Sequence, residues 1–488
     1  MNGPGWSGVH GNPSRRPEKR APFPLPGKTG DRGEPLSSAR EVGLVLCLLP
    51  LLAGISGWVV QGAEGVTSPS EWGALALAAG GWACALRLAR RVRDSFALLL
   101  VLVCGALALR LPFLSVDSGL SDDVHRYIWE GALVGAGIDP YSKPPAAAEL
   151  EPFRRRFEST YQGVNHPGVR AVYPPLAQAV NAGVIAAAGG AEHPSRARFF
   201  LRVFYAACDL LVCVPLGWLL ARARRPRMLL VAWAWNPWVA FEFAGSAHLD
   251  SLALLCFLGA LASLAPRARE SNLRDGCGLA LLAAGAAIKL LPVALVPFAL
   301  RGTRRPIRWA FFCALCLALT VLPFVLLTGG APSLGGLREY ALGWESFSLL
   351  HRGIEPLFAR HFAHDESWSD PRRLARAVEL SAWLALGAFA WWRRFELTRV
   401  AALLVGGFLV LTPTLHPWYL AWIVPFLALR PAPAWSTLVA AAPLLYWPVD
   451  GWRARRVWEE PAWLFPVLGG LFWMLLVLDA LRSPHAAR

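Results

Sequence analysis

Residues 96–131 read FALLLVLVCGALALRLPFLSVDSGLSDDVHRYIWEG. The apolar run over 95–114 is long enough to cross a bilayer's hydrocarbon core, which takes roughly 20 such residues. It ends abruptly in a polar stretch with two adjacent aspartates, Asp122 and Asp123. Comparable runs recur over 42–60, 70–88, 199–220, 228–244, 250–266, 276–300, 307–328, 374–392, 397–414, 416–430, 434–448 and 462–481. The lipid bilayer is therefore the solvent for most of this chain. Its composition agrees: of 488 residues 55% are apolar and 17% charged, mean hydropathy is +0.41 and 23 residues are Trp. A soluble domain carries about 25% charge and about 45–50% apolar residues. A secreted disulfide scaffold, a disordered tail protein and a soluble enzyme with one anchor are all excluded.

The net charge of +15 gives no nucleic-acid surface, because the basic residues are clustered at the ends of apolar runs. Arg87, Arg90, Arg91 and Arg93 form one cluster, and Arg222, Arg224, Arg225 and Arg227 a second. Arg301, Arg304, Arg305 and Arg308 form a third, and Arg393, Arg394 and Arg399 a fourth. Basic residues concentrate in short cytoplasmic loops, so the clusters are orientation signals. The nine cysteines lie in or beside apolar segments and read as small membrane residues. Cys313 and Cys316 are spaced C-x-x-C with no second pair and no nearby His to complete a metal site.

The fold expected is an all-α polytopic membrane protein of about 12–14 transmembrane helices. Residues 1–41, rich in Pro, Gly and Arg, read as a disordered cytoplasmic tail. Two N-terminal transmembrane helices follow over 42–94, and 431–488 supply the C-terminal ones, with both termini cytoplasmic. The region 95–430 carries two long outer loops, about 115–198 and 329–373. Two stretches break the simple alternation. A full span at 173–190 would export the arginines of 221–227, so it is read as interfacial or re-entrant. Residues 276–300, with basic loops at both ends and Lys289 and Pro292 inside, read as two half-helices that enter and return.

The densest polar constellation is the one just past residue 114. Ser121 suits a helix N-cap, and the two aspartates complement the helix dipole in its first turn. Arg126 lies four residues from both Asp122 and Glu130, so the three can share a helical face. A well-capped surface helix with ion pairs accounts for that spacing. So does a carboxylate base at a membrane exit, with Arg126 steering a phosphate or fixing the carboxylate. Gly137–Tyr141 and Val172–Pro175, which includes Tyr173, read as rigid turns. Further on, Glu242, His248 and Asp250 fall within nine residues at one membrane boundary, where ionisable groups are costly and face a partner or a wet cavity. Lys289 either snorkels or binds a phosphate. His416 and Tyr419 either contact a polar headgroup or belong to an aromatic belt.

Taken in order, SDDVHRYIWEGALVGAGIDPY (121–141), YPPLAQ (173–178), NPWVAFEFAGSAHLD (236–250), AIKLLPVALVPF (287–298) and TLHPWYLAWIVPF (414–426) resemble the landmarks of GT-C glycosyltransferases. The likeness is greatest to bacterial polyprenyl-phosphate-mannose-dependent mannosyltransferases, over roughly 95–430. That resemblance implies a GT-C-like bundle in the bacterial inner (cell) membrane with its active site on the extracytoplasmic face. It implies a polyprenyl-phosphate sugar donor, mannose above all, and an acceptor hydroxyl on a glycan, lipid or protein. By position, the catalytic base is Asp122 or Asp123. Substrate-binding candidates are Arg126, Glu130, Tyr173, Glu242, His248, Asp250, Lys289, His416 and Tyr419. Asp122 and Asp123 could also hold a divalent cation, Mg or Mn; no other cofactor is implied. The alternative is a secondary transporter or lipid flippase, which would use buried Glu242, Asp250 and Lys289 and a broken helix.

Overall fold

The computed structural model describes residues 39–62, 65–117, 119–265, 271–360, 370–455 and 457–482; the expected tail lies, up to residue 38, outside them. The described residues are helical, with no strand among them. Six helices are long and apolar enough to span a bilayer: Ala39–Val60 (α1), Pro69–Ala89 (α2), Phe96–Leu114 (α3), Pro194–Arg222, Pro306–Thr328 and Pro371–Trp392. Each begins where the expected runs begin, within a few residues.

Local chemistry sets these ends. Ser68 accepts the Glu71 amide while Glu71 accepts the Ser68 amide, a reciprocal cap that starts α2 just before Pro69. Ser95 caps α3 through the Leu98 amide. On α3, Leu100, Val103, Leu107 and Leu111 are exposed at helical spacing, so this stripe faces lipid, while Leu98, Leu102 and Leu109 turn inward.

The remaining apolar segments are interrupted. The stretch expected as one span at 228–244 is built from a 3-10 turn at Arg227–Leu230, short helices at Val231–Ala234 and Pro237–Ala240, and a π turn at Phe241–Gly245. Pro237 lacks an amide hydrogen and starts a new helix, capped by the Asn236 side chain on the Trp238 and Val239 amides. Likewise 276–300 is broken: helix Asn272–Ala286 stops, Lys289 lies in the gap, and Leu291–Leu295 and Val296–Arg301 follow. Asp250–Leu264 and Leu397–Leu411 have 15 residues each, about 22 Å at about 1.5 Å per residue, short of the roughly 30 Å core.

Beyond α3 the chain forms helix α4 (Asp123–Gly135) and helix α5 (Pro175–Ala187), then enters the long helix α6 (Pro194–Arg222). Asp117, just past α3, accepts from Arg198 at 3.0 Å and Arg202 at 2.7 Å near the start of α6. At the opposite ends, Asp94 accepts the amides of Arg227 and Met228. Helices α3 and α6 are thus antiparallel neighbours, so the segment between them, α5 included, leaves and re-enters the bundle at one end, the loop end. The first two arginine clusters meet at the other. The third and fourth also meet: the Arg301 guanidinium donates to the carbonyls of Trp391 and Phe395.

Between the two ends, Arg110 of α3 and Asp209 of α6 form a two-pronged ion pair, at 2.8 and 3.0 Å, with side chains 2% and 0% exposed. Arg110 also donates to the carbonyls of Ala106 and Ala234. A charge left alone in such surroundings costs about 3–5 kcal/mol, whereas a matched apolar pair is often neutral. Arg110→Met should therefore lower the melting temperature in detergent sharply, and adding Asp209→Leu should restore it; a double variant no better than the single would contradict the pairing. Single cysteines placed in 87–94 and in 222–227 should label from the same side of the membrane, and cysteines in 158–166 from the other. Labelling of 222–227 together with 158–166 would mean that α5 carries the chain across.

Candidate active site

The loop-end helix α4 opens differently from the sequence expectation. Asp122, not Ser121, occupies the N-cap position and makes no side-chain cap; the Ser121 hydroxyl reaches only the Asp123 amide, at 3.5 Å. The two aspartates consequently diverge. Asp122 is exposed. Asp123 points into the protein, its side chain 16% exposed. Its Oδ2 accepts from the Tyr173 hydroxyl at 2.8 Å and its Oδ1 from Asn165 at 3.3 Å. Burial first, then the charge of Asp123, raises the Tyr173 phenol, so Tyr173 remains a hydrogen-bond donor at neutral pH. The Tyr127 hydroxyl donates in turn to Tyr173 at 3.4 Å.

Arg126 and Glu130, one turn apart, form a buried pair at 2.7 Å. Every nitrogen of the Arg126 guanidinium has a partner: Glu130 on Nε and Nη2, and the carbonyls of Asn165, His166, Val169 and Arg170 on the terminal nitrogens. The other oxygen of Glu130 accepts from Gln178 of α5 at 2.6 Å. Both residues expected to bind substrate are thus engaged in holding 165–170 and α5 against α4. His125 faces the other way; burial, followed by the nearby Arg198, lowers its pKa to about 4.

Across from Asp123 stands His248, whose Nδ1 lies 3.8 Å from the carboxylate Oδ2 and whose Nε2 lies 3.3 Å from Glu242. The π turn at Phe241–Gly245 delivers this geometry, a feature frequent at functional sites. Ala247 follows at φ 58°, a left-handed conformation uncommon for a residue with a Cβ, and the His248 amide donates back to the Glu242 carbonyl at 3.0 Å. Among the described residues neither ring nitrogen of His248 has a hydrogen-bond partner, although the residue is fully buried. Glu242 accepts from the Tyr446 hydroxyl at 3.1 Å.

Lys289, in the gap after Asn272–Ala286, is not an isolated cation. Its Nζ lies 2.5 Å from Asp250 Oδ1, which also accepts from Trp422 at 2.7 Å. The ammonium sits 4.5 Å from the Tyr419 ring centroid and its side chain is 19% exposed. The rings of His248, Trp418 and His416 stack in series, at 4.2 Å and 4.3 Å between centroids. His416 Nε2 is 3.0 Å from the Tyr340 hydroxyl, which is 2.9 Å from that of Tyr419. Tyr340 belongs to the second long loop segment. That segment also meets the first through Arg170–Glu339 at 2.6 Å and His166–Trp344 at 4.5 Å between rings.

Asp123, Tyr173, Glu242, His248, Asp250, Lys289, His416 and Tyr419 therefore belong to one connected cluster, from segments up to about 300 residues apart in sequence. Sequence reasoning missed Asn165, Tyr340 and Tyr446, which lie in no ionisable motif. Trp418 and Trp422 were visible only as part of 414–426. The two aspartates share no common ligand direction, and among the described residues no group of three or more His, Cys, Asp or Glu could hold a metal ion. What the cluster can do is bring a carboxylate, Asp123, and a cation, Lys289, to one polar, aromatic-walled site.

No curated protein and no solved structure matches the chain. Residues 41–302 do match the sequence model of a family described as alpha-(1->6)-mannopyranosyltransferase, N-terminal domain. The match covers more than half of the chain. It takes in Asp123, Tyr173, Glu242, His248, Asp250 and Lys289 and stops before His416. A family of enzymes sets aside the transporter reading of the buried ionisable groups. With its all-helical membrane body and this match, the chain belongs to the alpha-(1->6)-mannopyranosyltransferase family and is a GT-C-type glycosyltransferase.

Proposed function

We propose that the protein transfers mannose from a polyprenyl-phosphate donor to an acceptor hydroxyl on the extracytoplasmic side of a bacterial inner membrane, with Asp123 as the general base. One observation carries this reading: of the two adjacent aspartates, Asp123 alone faces the buried cluster, held by Tyr173 and directed at His248. Each carboxylate oxygen accepts one hydrogen bond there, and an ionised carboxylate has room for more. In the proposed step the acceptor oxygen bonds to the anomeric carbon, and its proton passes to Asp123. The anomeric carbon–phosphate oxygen bond breaks, and its electron pair leaves with the polyprenyl phosphate.

The phosphate needs a cation at the membrane boundary, and Lys289 is partly exposed there. An ammonium has three donors, so binding Asp250 leaves others for a phosphate oxygen. His416 and His248 offer imidazole nitrogens nearby to steady charge in the transition state. Arg126 is a positioning residue in this reading, fixing the helix that carries Asp123. With the arginine clusters cytoplasmic, the loop end is extracytoplasmic, and the apolar body gives the donor's chain a path to it.

Asp123→Asn should cut the rate of mannosyl transfer in purified protein by about 10²–10⁴-fold, the worth of a positioned base, with little change in melting temperature. Asp122→Asn should transfer at near the parental rate. Equal transfer by both variants would refute the base assignment. Lys289→Gln, which keeps a donor for Asp250, should raise the KM for the lipid donor roughly ten- to a hundredfold, as loss of a charge-assisted contact of about 1.5–3 kcal/mol requires. An unchanged donor KM would leave Lys289 as the counter-ion of Asp250 alone.

A further inference from the structure

The loop end holds a concavity apart from the Asp123 cluster. Thr67 lines it from the connection between α1 and α2, and Trp447, Asp450, Gly451, Glu459 and Glu460 line it from the C-terminal region. Its volume is about 420 Å³, within the range of small-molecule sites, roughly 300–1,000 Å³. It is firmly built. Asp450 Oδ2 accepts the Val66 amide at 2.9 Å, and Glu460 pairs with Arg352 of the second loop segment. The Trp447 indole is fixed edge-on by Trp463 at 5.0 Å and Trp72 at 5.7 Å.

The lining decides the ligand class. Its three carboxylates are matched by cations: Arg455 lies 3.6 Å from Glu459, Arg352 pairs with Glu460, and the charge of Arg453 acts on Asp450. That balance leaves no net positive charge to select an anion such as the donor phosphate. Hydroxyl groups, by contrast, donate well to carboxylates, and a rigid indole face covers an apolar ring surface at low entropic cost. A chain of neutral sugars presents both surfaces.

Position ties the cleft to the transfer site. Helices α1 and α3 run in the same direction, because α2 returns between them, so the Val66–Thr67 connection and the start of α4 share the loop end. The Arg453 guanidinium, on the helix Trp447–Arg455 that lines the cleft, packs so closely on Gly119 that a side chain there would collide with it. Gly119 lies three residues before Asp122. All lining residues but Thr67 fall outside the 41–302 match, so this cleft draws on sequence that the family match does not describe.

We propose that this cleft binds the glycan chain of the acceptor, a neutral hydroxyl-rich oligosaccharide, and leads its reacting end towards α4; the inference rests on the transferase reading above. The test uses the full chain in detergent with α-(1→6)-linked mannotetraose as probe. Gly451→Phe projects a ring from the cleft wall at a position where an added Cβ is accommodated, its nearest neighbours lying at 3.4 and 3.5 Å. It should weaken mannotetraose binding by calorimetry at least tenfold, leaving the melting temperature and the donor KM unchanged. Trp447→Ala should weaken binding as well. Absence of binding by the parent protein, or equal binding by Gly451→Phe, overturns the proposal. Mannosyl transfer with the same acceptor KM in the parent and Gly451→Phe would also overturn it while leaving the mechanism intact. Cleft-dependent binding in a protein that transfers no mannose would sustain the cleft and refute the mechanism.

Discussion

The buried Arg126–Glu130 pair is the contact on which the site depends. Two charges at a membrane boundary persist only when paired and hydrogen-bonded throughout. This pair meets that condition by gathering four loop carbonyls on one side and Gln178 on the other. The result is a long connection with fixed shape. Asn165 and Tyr173, at either end of the gathered carbonyls, are then placed to bind Asp123. Without the clamp, 165–170 would lose its largest set of hydrogen bonds to α4, leaving Asp123 to be held by Asn165 and Tyr173 alone.

The same constraint shapes the membrane body. Arg110 and Asp209 satisfy each other where lipid cannot, and Lys289 and Asp250 do so nearer the boundary. The two pairs differ in how far they are enclosed. The first is closed on all sides, while the second keeps a partly exposed ammonium beside an aromatic wall. Prolines serve this arrangement. Breaks at Pro237, Pro292 and Pro417 interrupt helices at the depth where Glu242, His248, Lys289 and His416 are presented. Non-helical backbone is tolerated there because it is buried within protein.

Much of this was legible in the sequence. The six long spans follow from apolar length alone. The polar landmarks 121–141, 236–250, 287–298 and 414–426 converge on one cluster, because ionisable residues at membrane boundaries have few places to go. What sequence could not give was direction and partnership. Asp122 and Asp123 are adjacent, and which of them turns inward is decided by the distant partners Asn165 and Tyr173, which bind Asp123. Arg126 carried the right spacing to Glu130, yet its commitment to backbone carbonyls depends on a loop some 40 residues away. Neither snorkelling nor phosphate binding named the counter-ion of Lys289, because Asp250 lies 39 positions back. Tyr340 and Tyr446 enter through tertiary contacts with no local pattern to mark them.

The central claim is spatial: the transferred sugar sits between Asp123 and Lys289. A cryo-electron microscopy structure of the full chain with a polyprenyl-phosphate mannose bound would test it most directly. The account requires the phosphate against Lys289 and the anomeric carbon within one hydroxyl group's reach of the Asp123 carboxylate. A sugar lying on the Asp122 side of α4, or a phosphate held by the arginine clusters at the opposite end, would contradict it.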